Sequence, residues 1–242
     1  MPPRCLVVEA GLIDYQSGLV LQEQLRRVVE QGLWDGMLLF MEHYPVITIG
    51  TGGHDTNIVQ ERSLLAEAGV EIVQCKRGGD VTCHNPGQLI VYPVMNLASW
   101  QRDVHWFVAQ LEEVIIRVLG RYRLCAGRKA RYTGVWLNQR KVAAIGIAVK
   151  QWISTHGFAL NIYNDLGFFN SIIPCGIQNF GVTSLAEHGI NLTIAEILPV
   201  ILAEFNAVFG CSVIKTDTLM AGDEHAGTKI SASRMVDGPF SW

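Results

Sequence analysis

The feature that most constrains this chain is the clustering of strand-like runs, with few helices between them. Runs rich in β-branched and apolar residues fall at 5–9, 37–41, 46–50, 70–75, 89–94, 135–137, 141–149, 152–155 and 158–162. Helical periodicity is confined to three segments. Asp14 can cap a helix whose stripe is Leu21, Leu25, Val28 and Val29. Asp103 can cap a longer one with Val104, Phe107, Val108, Leu111, Val114, Ile115 and Val118 on one face. The third opens on a capping box, Thr193 with Glu196, and runs through Ile197, Leu198, Ile201, Leu202, Phe205 and Val208; Pro199 inside it predicts a bend. Asn138-Gln139 reads as a hairpin turn. Regular βαβ alternation does not fit this order, so the pattern predicts an α+β fold: a mixed sheet with helices packed on it.

A chain of 242 residues, 49% hydrophobic and 17% charged, can bury one sizeable core. The expected organisation is a single domain over 1–215, followed by a polar, Gly-rich tail at 216–242 without periodicity. The apolar stretches at 36–41 and 89–95 are far shorter than the roughly 20 residues of a membrane-spanning helix. The start, MPPRCLVVEA, has neither a secretory nor a transit pattern, so a cytoplasmic location is expected, or mitochondrial or plastid if a transit peptide has been removed. Cys5, Cys75, Cys83, Cys125, Cys175 and Cys211 include no C-x-x-C pair, which fits neither a disulfide framework nor a zinc site. Net charge of −3 makes no case for nucleic acid. Yet five of the 19 Lys and Arg fall within 121–131, either a docking patch for an acidic partner or a solvated loop.

Three stretches carry chemistry. RGGDVTCHNPGQ, residues 77–88, holds three glycines and a proline between two strand-like runs, and is expected to be a shaped loop at a sheet end. Its paired glycines let backbone N–H groups approach a ligand, while Arg77, Thr82 and His84 add polar groups, a recipe for holding a carbonyl or phosphate-like oxygen. The plain alternative is a tight surface turn. In RYTGVWLNQRKVAAIGIAVKQWISTHGFALNI, residues 131–162, Lys141 opens a strand of small residues that leaves room for an elongated group. That lysine serves either as a proton acceptor or thiolate partner at a pocket mouth, or as a strand-edge charge against aggregation. His156-Gly157 is expected to break the next strand. In FFNSIIPCGIQNFGVTSL, residues 168–185, Cys175 lies between Pro174 and Gly176, in a turn that exposes a thiol as a nucleophile; by composition alone it is a filler.

Together, RGGDVTCHNPGQ, TGVWLNQRKVAAIG, STHGFALN and IIPCGIQNFGVTSL resemble the lipoyl (octanoyl) transferase family over about residues 70–185. The resemblance implies a mostly antiparallel sheet flanked by helices, as in biotin and lipoate protein ligases. It also implies a Cys–Lys dyad, in which Cys175 carries the acyl thioester and Lys141 depresses the pKa of its thiol. Substrate contacts are implied for Arg77, Gly78, Gly79, Asp80, Val81, Thr82, Cys83 and His84. Further contacts are implied for Ala144, Ile145 and Gly146, and for Gly157, Phe158 and Ala159. Cys83 and Asn85 stand where the family pattern has Tyr and Gly, in the part expected to wall the acyl pocket.

The implied reaction is octanoyl transfer from octanoyl-acyl carrier protein to a lysine of lipoyl domains, in the E2 subunits of 2-oxoacid dehydrogenases and the glycine cleavage H protein, by a monomer with no cofactor or metal. Competing readings are an ATP-dependent lipoate or biotin ligase of the same fold, and a non-catalytic acyl-binding relative.

Overall fold

The computed structural model describes residues 1–173 and 180–215, together with the backbone of 219–220 and 229–230. In chain order the elements are β1 (Arg4–Ile13), α1 (Tyr15–Glu30), β2 (Gly36–His43), β3 (Val46–Ile49), α2 (Arg62–Glu67), β4 (Glu71–Gln74), β5 (Val81–His84) and β6 (Gln88–Met95). They continue with α3 (Val104–Arg121), β7 (Ala126–Lys129), β8 (Tyr132–Leu137), β9 (Arg140–Lys150), β10 (Ile153–Asn161), α4 (Ile194–Phe209) and β11 (Ser212–Lys215). Within the stretch expected to be an irregular tail, β12 (Leu219–Met220) and β13 (Lys229–Ile230) pair antiparallel; its remaining residues lie outside the described ones.

The helices start where capping chemistry places them. Asp14 Oδ1 accepts from Ser17 N at 2.8 Å, and Asp103 Oδ1 accepts from His105 N and Trp106 N at 2.8 and 3.0 Å. Thr193 and Glu196 form the expected capping box, and α4 continues through Pro199 as one element. Val104 is exposed rather than part of the α3 stripe, because it precedes the first turn that meets the sheet. The six-residue α2, with only Leu65 buried, is too short to show periodicity and gives no sequence signal.

Eight strands form the main sheet in the order β11-β1-β2-β6-β10-β9-β8-β7. Pairing is antiparallel except where β1 runs parallel to β2 and to β11. One face packs against α3 and α4 in a core that includes Phe107, Leu111, Ile115, Phe158, Leu160 and Phe205. The other receives Leu21, Leu25 and Val29 of α1 against Met37, Leu39, Ile90 and Tyr92. A separate three-stranded sheet, β4-β3-β5, closes over its own small core of Ile47, Ile49, Leu65, Val81 and Cys83.

Two expectations change. Residues 81–84, read as loop, form β5, paired antiparallel to β3 with Thr82 opposite Thr48. Flanking glycines masked a buried, alternating Val-Thr-Cys-His strand too short to be legible by itself. The runs at 152–155 and 158–162 are one strand, continuous along β9 from Ile153↔Lys150 to Leu160↔Ala143. Only the β6 side is interrupted: ladder pairing with β6 begins at Phe158↔Val91, and the Ser154 hydroxyl instead donates to Pro93 O at 2.6 Å and accepts from Met95 N at 2.9 Å. Pro93 supplies no N–H to that ladder. At this junction a Cβ on Gly157 would stand 2.2 Å from Val91 O and 2.5 Å from Pro93 Cδ. Gly157→Ala is therefore expected to lower unfolding free energy by about 3 kcal/mol or more, beyond ordinary overpacking, because backbone must move. Thermal denaturation followed by circular dichroism checks this; an unchanged midpoint contradicts it.

Candidate functional site

The site is built on a phase change in β9. Val135 pairs with Ala143 and Trp136 with Lys141, so Val142 is an extra residue, a β-bulge. Val142 and Ala143 both sink into the core under α3. Beyond the bulge the alternation is shifted by one, which brings Lys141 onto the same face as Ala144 and Gly146. Ile145, Ile147 and Val149 pack against the opposite core. Gly146 has no room for a side chain: a Cβ there would lie 2.8 Å from Gly78 O and 3.2 Å from Arg77 Cδ. Gly78 N donates to Ile147 O at 2.8 Å, fastening the Arg-Gly-Gly segment across the strand.

A cavity of about 550 Å³ lies between these parts, within the roughly 300–1,000 Å³ of small-molecule sites. Of the residues implied by resemblance, Arg77, Gly78, Gly79, Asp80, Thr82 and His84 line it. So do Lys141, Ala144, Ile145, Gly146, Gly157, Phe158 and Ala159. Val81 and Cys83 do not. Strand alternation turns Thr82 and His84 toward the cavity, and Val81 and Cys83 into the core of the small sheet. Cys83 Sγ faces Phe168 O at 3.6 Å, and burial raises its thiol pKa well above the ordinary value. Asn85 is also away from the cavity wall, donating to Asp165 O at 2.9 Å and accepting from Asn164 Nδ2 at 3.2 Å.

Cavity residues not singled out from sequence include Ile90 and Tyr92 on β6 and the run 131–133. The period-2 alternation of β6 was the available signal for the first pair. In the second, Arg131 reads from sequence only as part of the basic run, and Tyr132 and Thr133 carry no signal of their own.

Arg77 is buried, 8% exposed, yet its contacts are neutral: Nη2 donates to Thr48 O at 2.7 Å and Thr48 Oγ1 at 2.8 Å, and Nη1 to Gly78 O at 3.1 Å. Asp80 is engaged elsewhere, accepting from Val81 N at 2.8 Å and Asn57 Nδ2 at 2.6 Å. A cation at the cavity wall with uncharged partners suits a carbonyl oxygen or an anion.

Beside it lies an aromatic cluster. Tyr15 stacks on His84 with centroids 6.3 Å apart, His43 meets His84 at 6.0 Å, and Tyr92 meets His156 edge-on at 5.4 Å. His156 adopts φ +56°, a left-handed backbone, with its N–H donated to Gln22 Oε1 at 2.6 Å. Burial lowers His43 and His156 from 6.5 to about 4 and His84 to about 3.

All three imidazoles stay neutral in the folded chain while their unfolded counterparts titrate near 6.5. Their contribution to stability is fully present above that pH. It is lost as pH falls from about 6.5 toward 4, because the unfolded chain binds protons that the folded one does not. Urea unfolding at stepped pH should show stability falling between pH 6.5 and 5, above the carboxylate range, by on the order of 1 kcal/mol or more; a flat profile there contradicts it.

Residues 174–179, with Cys175, lie outside the described residues. Both flanks are fastened to the fold, the downstream one at the cavity. Upstream, Ile173 N donates to Asn57 O at 2.7 Å and Ile172 bridges Ile58. Downstream, Lys141 N donates to Gly181 O and Thr183 N to Lys141 O, both at 2.9 Å, so 181–183 adds a short parallel bridge directly onto Lys141. Phe180 packs on Tyr132 at 5.5 Å and Trp136 at 5.6 Å, and the Lys141 ammonium lies 5.0 Å from the Trp136 ring centre.

The basic run at 121–131 is largely committed to the fold. Arg121 pairs with buried Glu204 at 2.6 Å. Arg128 pairs with Glu112 and Glu113, each at 3.0 Å, and Glu112 also accepts from Gly134 N at 3.0 Å. Lys129 lies over Phe180 at 3.4 Å and contacts Gln139. Arg131, exposed with φ +71°, is the member of this run that lines the cavity. Arg128→Ala should thus cost about 1–2 kcal/mol of stability by stranding Glu112, whereas Arg131→Ala should leave the melting temperature within about a degree. Equal melting temperatures for the two variants contradict this division.

The architecture is that of a lipoate ligase catalytic domain. A putative lipoate protein ligase from T. acidophilum, solved with bound lipoic acid, superimposes with a TM-score of 0.70 over 89% of each chain, at 16% identity. The family model of the lipoyl protein ligase A/B catalytic domain matches residues 14–206, and this chain belongs to that family. Among curated relatives, an octanoyltransferase of Thermoanaerobacter sp. is 45% identical over 205 residues, covering 84% of this chain and 90% of the relative. An octanoyltransferase of Solibacter usitatus is 42% identical over 217 residues, covering 90% and 98%.

Proposed function

We propose that this chain is an octanoyltransferase that moves an octanoyl group from an acyl carrier protein thioester, through Cys175, onto the target lysine of lipoyl domains. The observation that carries this reading is the fastening of 181–183 onto Lys141, which ties the segment that follows the P-C-G motif in sequence to the cavity lysine. Family membership and the name borne by relatives at 45% and 42% identity support the same reading.

In the proposed first step the Cys175 thiolate attacks the thioester carbonyl, and the carrier thiol leaves from the tetrahedral intermediate. Arg77, placed among neutral partners, and the N–H groups around Gly79, where φ is +87°, are donors for the developing oxyanion. The Lys141 ammonium stabilises the Cys175 thiolate and gives a proton to the departing carrier thiolate; as a neutral amine it then accepts a proton from the incoming lysine amine, which attacks the acyl-enzyme, forms the amide and releases the Cys175 thiolate. The acyl chain lies along Ala144 and Gly146, which span roughly 7 Å of β9. Exchanging a thioester for an amide is downhill, so the proposed reaction needs neither ATP nor metal.

Incubation with octanoyl-acyl carrier protein should add one octanoyl mass to the wild type and none to Cys175→Ser, whose turnover should be lost. An unmodified wild type sinks the proposal. Lys141→Ala should raise the pH at which iodoacetamide alkylates Cys175; an unchanged profile removes the role given to Lys141. A ligase reading would instead show pyrophosphate release from ATP with free octanoate.

A further inference from the structure

We propose that Thr48, His84, Gln88 and Asn161 form a one-way buried hydrogen-bond chain that holds His84 in its Nδ1–H tautomer and ties Lys141 to the Arg77 segment, making Gln88 and Asn161 positioning residues. Every member is buried: Arg77 is 8% exposed, His84 6%, Asn161 4%, Gln88 2%, and Thr48 and Thr183 0%.

The direction follows from groups that have no choice. At one end stand backbone carbonyls, which only accept. Asn161 lies 2.9 Å from Thr183 O, so it must turn its NH₂ there and its oxygen toward Gln88. Gln88 lies 2.9 Å from that oxygen and 3.3 Å from Cys83 O, so it must turn its own NH₂ to both and its oxygen to His84. His84 Nδ1, 2.7 Å from Gln88 Oε1, must therefore carry the proton.

At the other end stands Arg77, which only donates. Its Nε and Nη2 reach Thr48 Oγ1 at 3.2 and 2.8 Å, so the hydroxyl proton points elsewhere, toward His84 Nε2 at 3.4 Å, the longest link. Both ends favour the same tautomer, and the 2.7 Å link to Gln88 holds it more firmly than the 3.4 Å link to Thr48. The last link is Thr183 N to Lys141 O at 2.9 Å, joining the chain to β9. Aligned amides polarise one another in a dry interior, so breaking one link loosens the others. The chain crosses β3, β5, β6, β10 and the 181–183 bridge, the parts that must keep register for Lys141 to face Arg77.

The tautomer stands on geometry alone; the kinetic consequence rests on the proposed role of Lys141. The test uses the full chain labelled with nitrogen-15 at histidine, with His84→Gln assigning its resonances among the seven histidines. Wild type should show Nδ1 protonated and Nε2 bare at His84. Gln88→Met, similar in shape but unable to accept, should release His84 to the Nε2–H form and lower kcat by at least about tenfold with KM for the acyl donor changed less than about threefold.

A wild-type His84 protonated at Nε2 overturns the proposal whatever the enzyme's activity proves to be. So does a folded Gln88→Met with the tautomer released and kcat intact. Should Gln88→Met fail to fold, the wild-type spectrum alone decides the tautomer, and Asn161→Ser, shorter but still polar, supplies the kinetic comparison with the same expected loss. An Asn161→Ser enzyme with wild-type kcat overturns the positioning role.

Discussion

A guanidinium kept almost out of water, with neutral hydrogen-bond partners among the described residues, is the demand around which the cavity is arranged. Leaving Arg77 unsatisfied would cost several kcal/mol, so its donors must meet acceptors fixed in place. Thr48 provides two of these, its carbonyl and its hydroxyl, from the middle strand of the small sheet. That explains why a chain already holding an eight-stranded sheet builds a second one. The small sheet is a frame, with its own apolar core, that presents Thr48, Thr82 and His84 across a gap to β9 and β10. Among the described residues the hydrogen-bond partners of Arg77 are neutral, which keeps a positive charge at the cavity wall.

The opposite wall is made thin. Gly146 and Gly157 face each other in the β9–β10 ladder, and each lacks a side chain because backbone from another element occupies that space: Gly78 in one case, Val91 in the other. The cavity therefore runs between two places where main chains nearly touch. The bulge at Val142 supplies the remaining condition, since without it Lys141 would share the face of Ile145 and point into the core under α3. One inserted residue thus decides whether the lysine faces the core or the cavity.

Much of this was legible in the sequence where a local rule acts alone. Asp14, Asp103 and Thr193 cap their helices because capping needs only residues within one turn. The mixed sheet followed from the order of strand-like runs. What escaped depended on distant partners. Residues 81–84 are a strand only because β3 lies beside them, and 153–161 is one strand because β9 carries it past the point where Pro93 and Gly157 force it from β6. The charge run at 121–131 looked like a surface patch because Glu112 and Glu204 are 16 and 83 residues away from their arginines, at Arg128 and Arg121. Of the candidate site, the motif residues could be read, but not the division within 81–84 into cavity-facing and core-facing halves.

That division alters the meaning of the two departures from the family pattern. At position 83 a side chain points into the small core with Ile47, Leu65 and Phe169, so Cys83 adjusts packing beneath β5 rather than the bore of the cavity. Position 85 lies at the turn before β6, where Asn85 bonds Asp165 O and Asn164. Asn164 in turn reaches Asn161 Oδ1 at 3.3 Å, the oxygen that also accepts from Gln88. A residue without a side chain there would leave that extension unmade, so Asn85 buttresses the polar chain from outside. Both residues belong to the frame holding Thr82 and His84 rather than to the cavity wall itself.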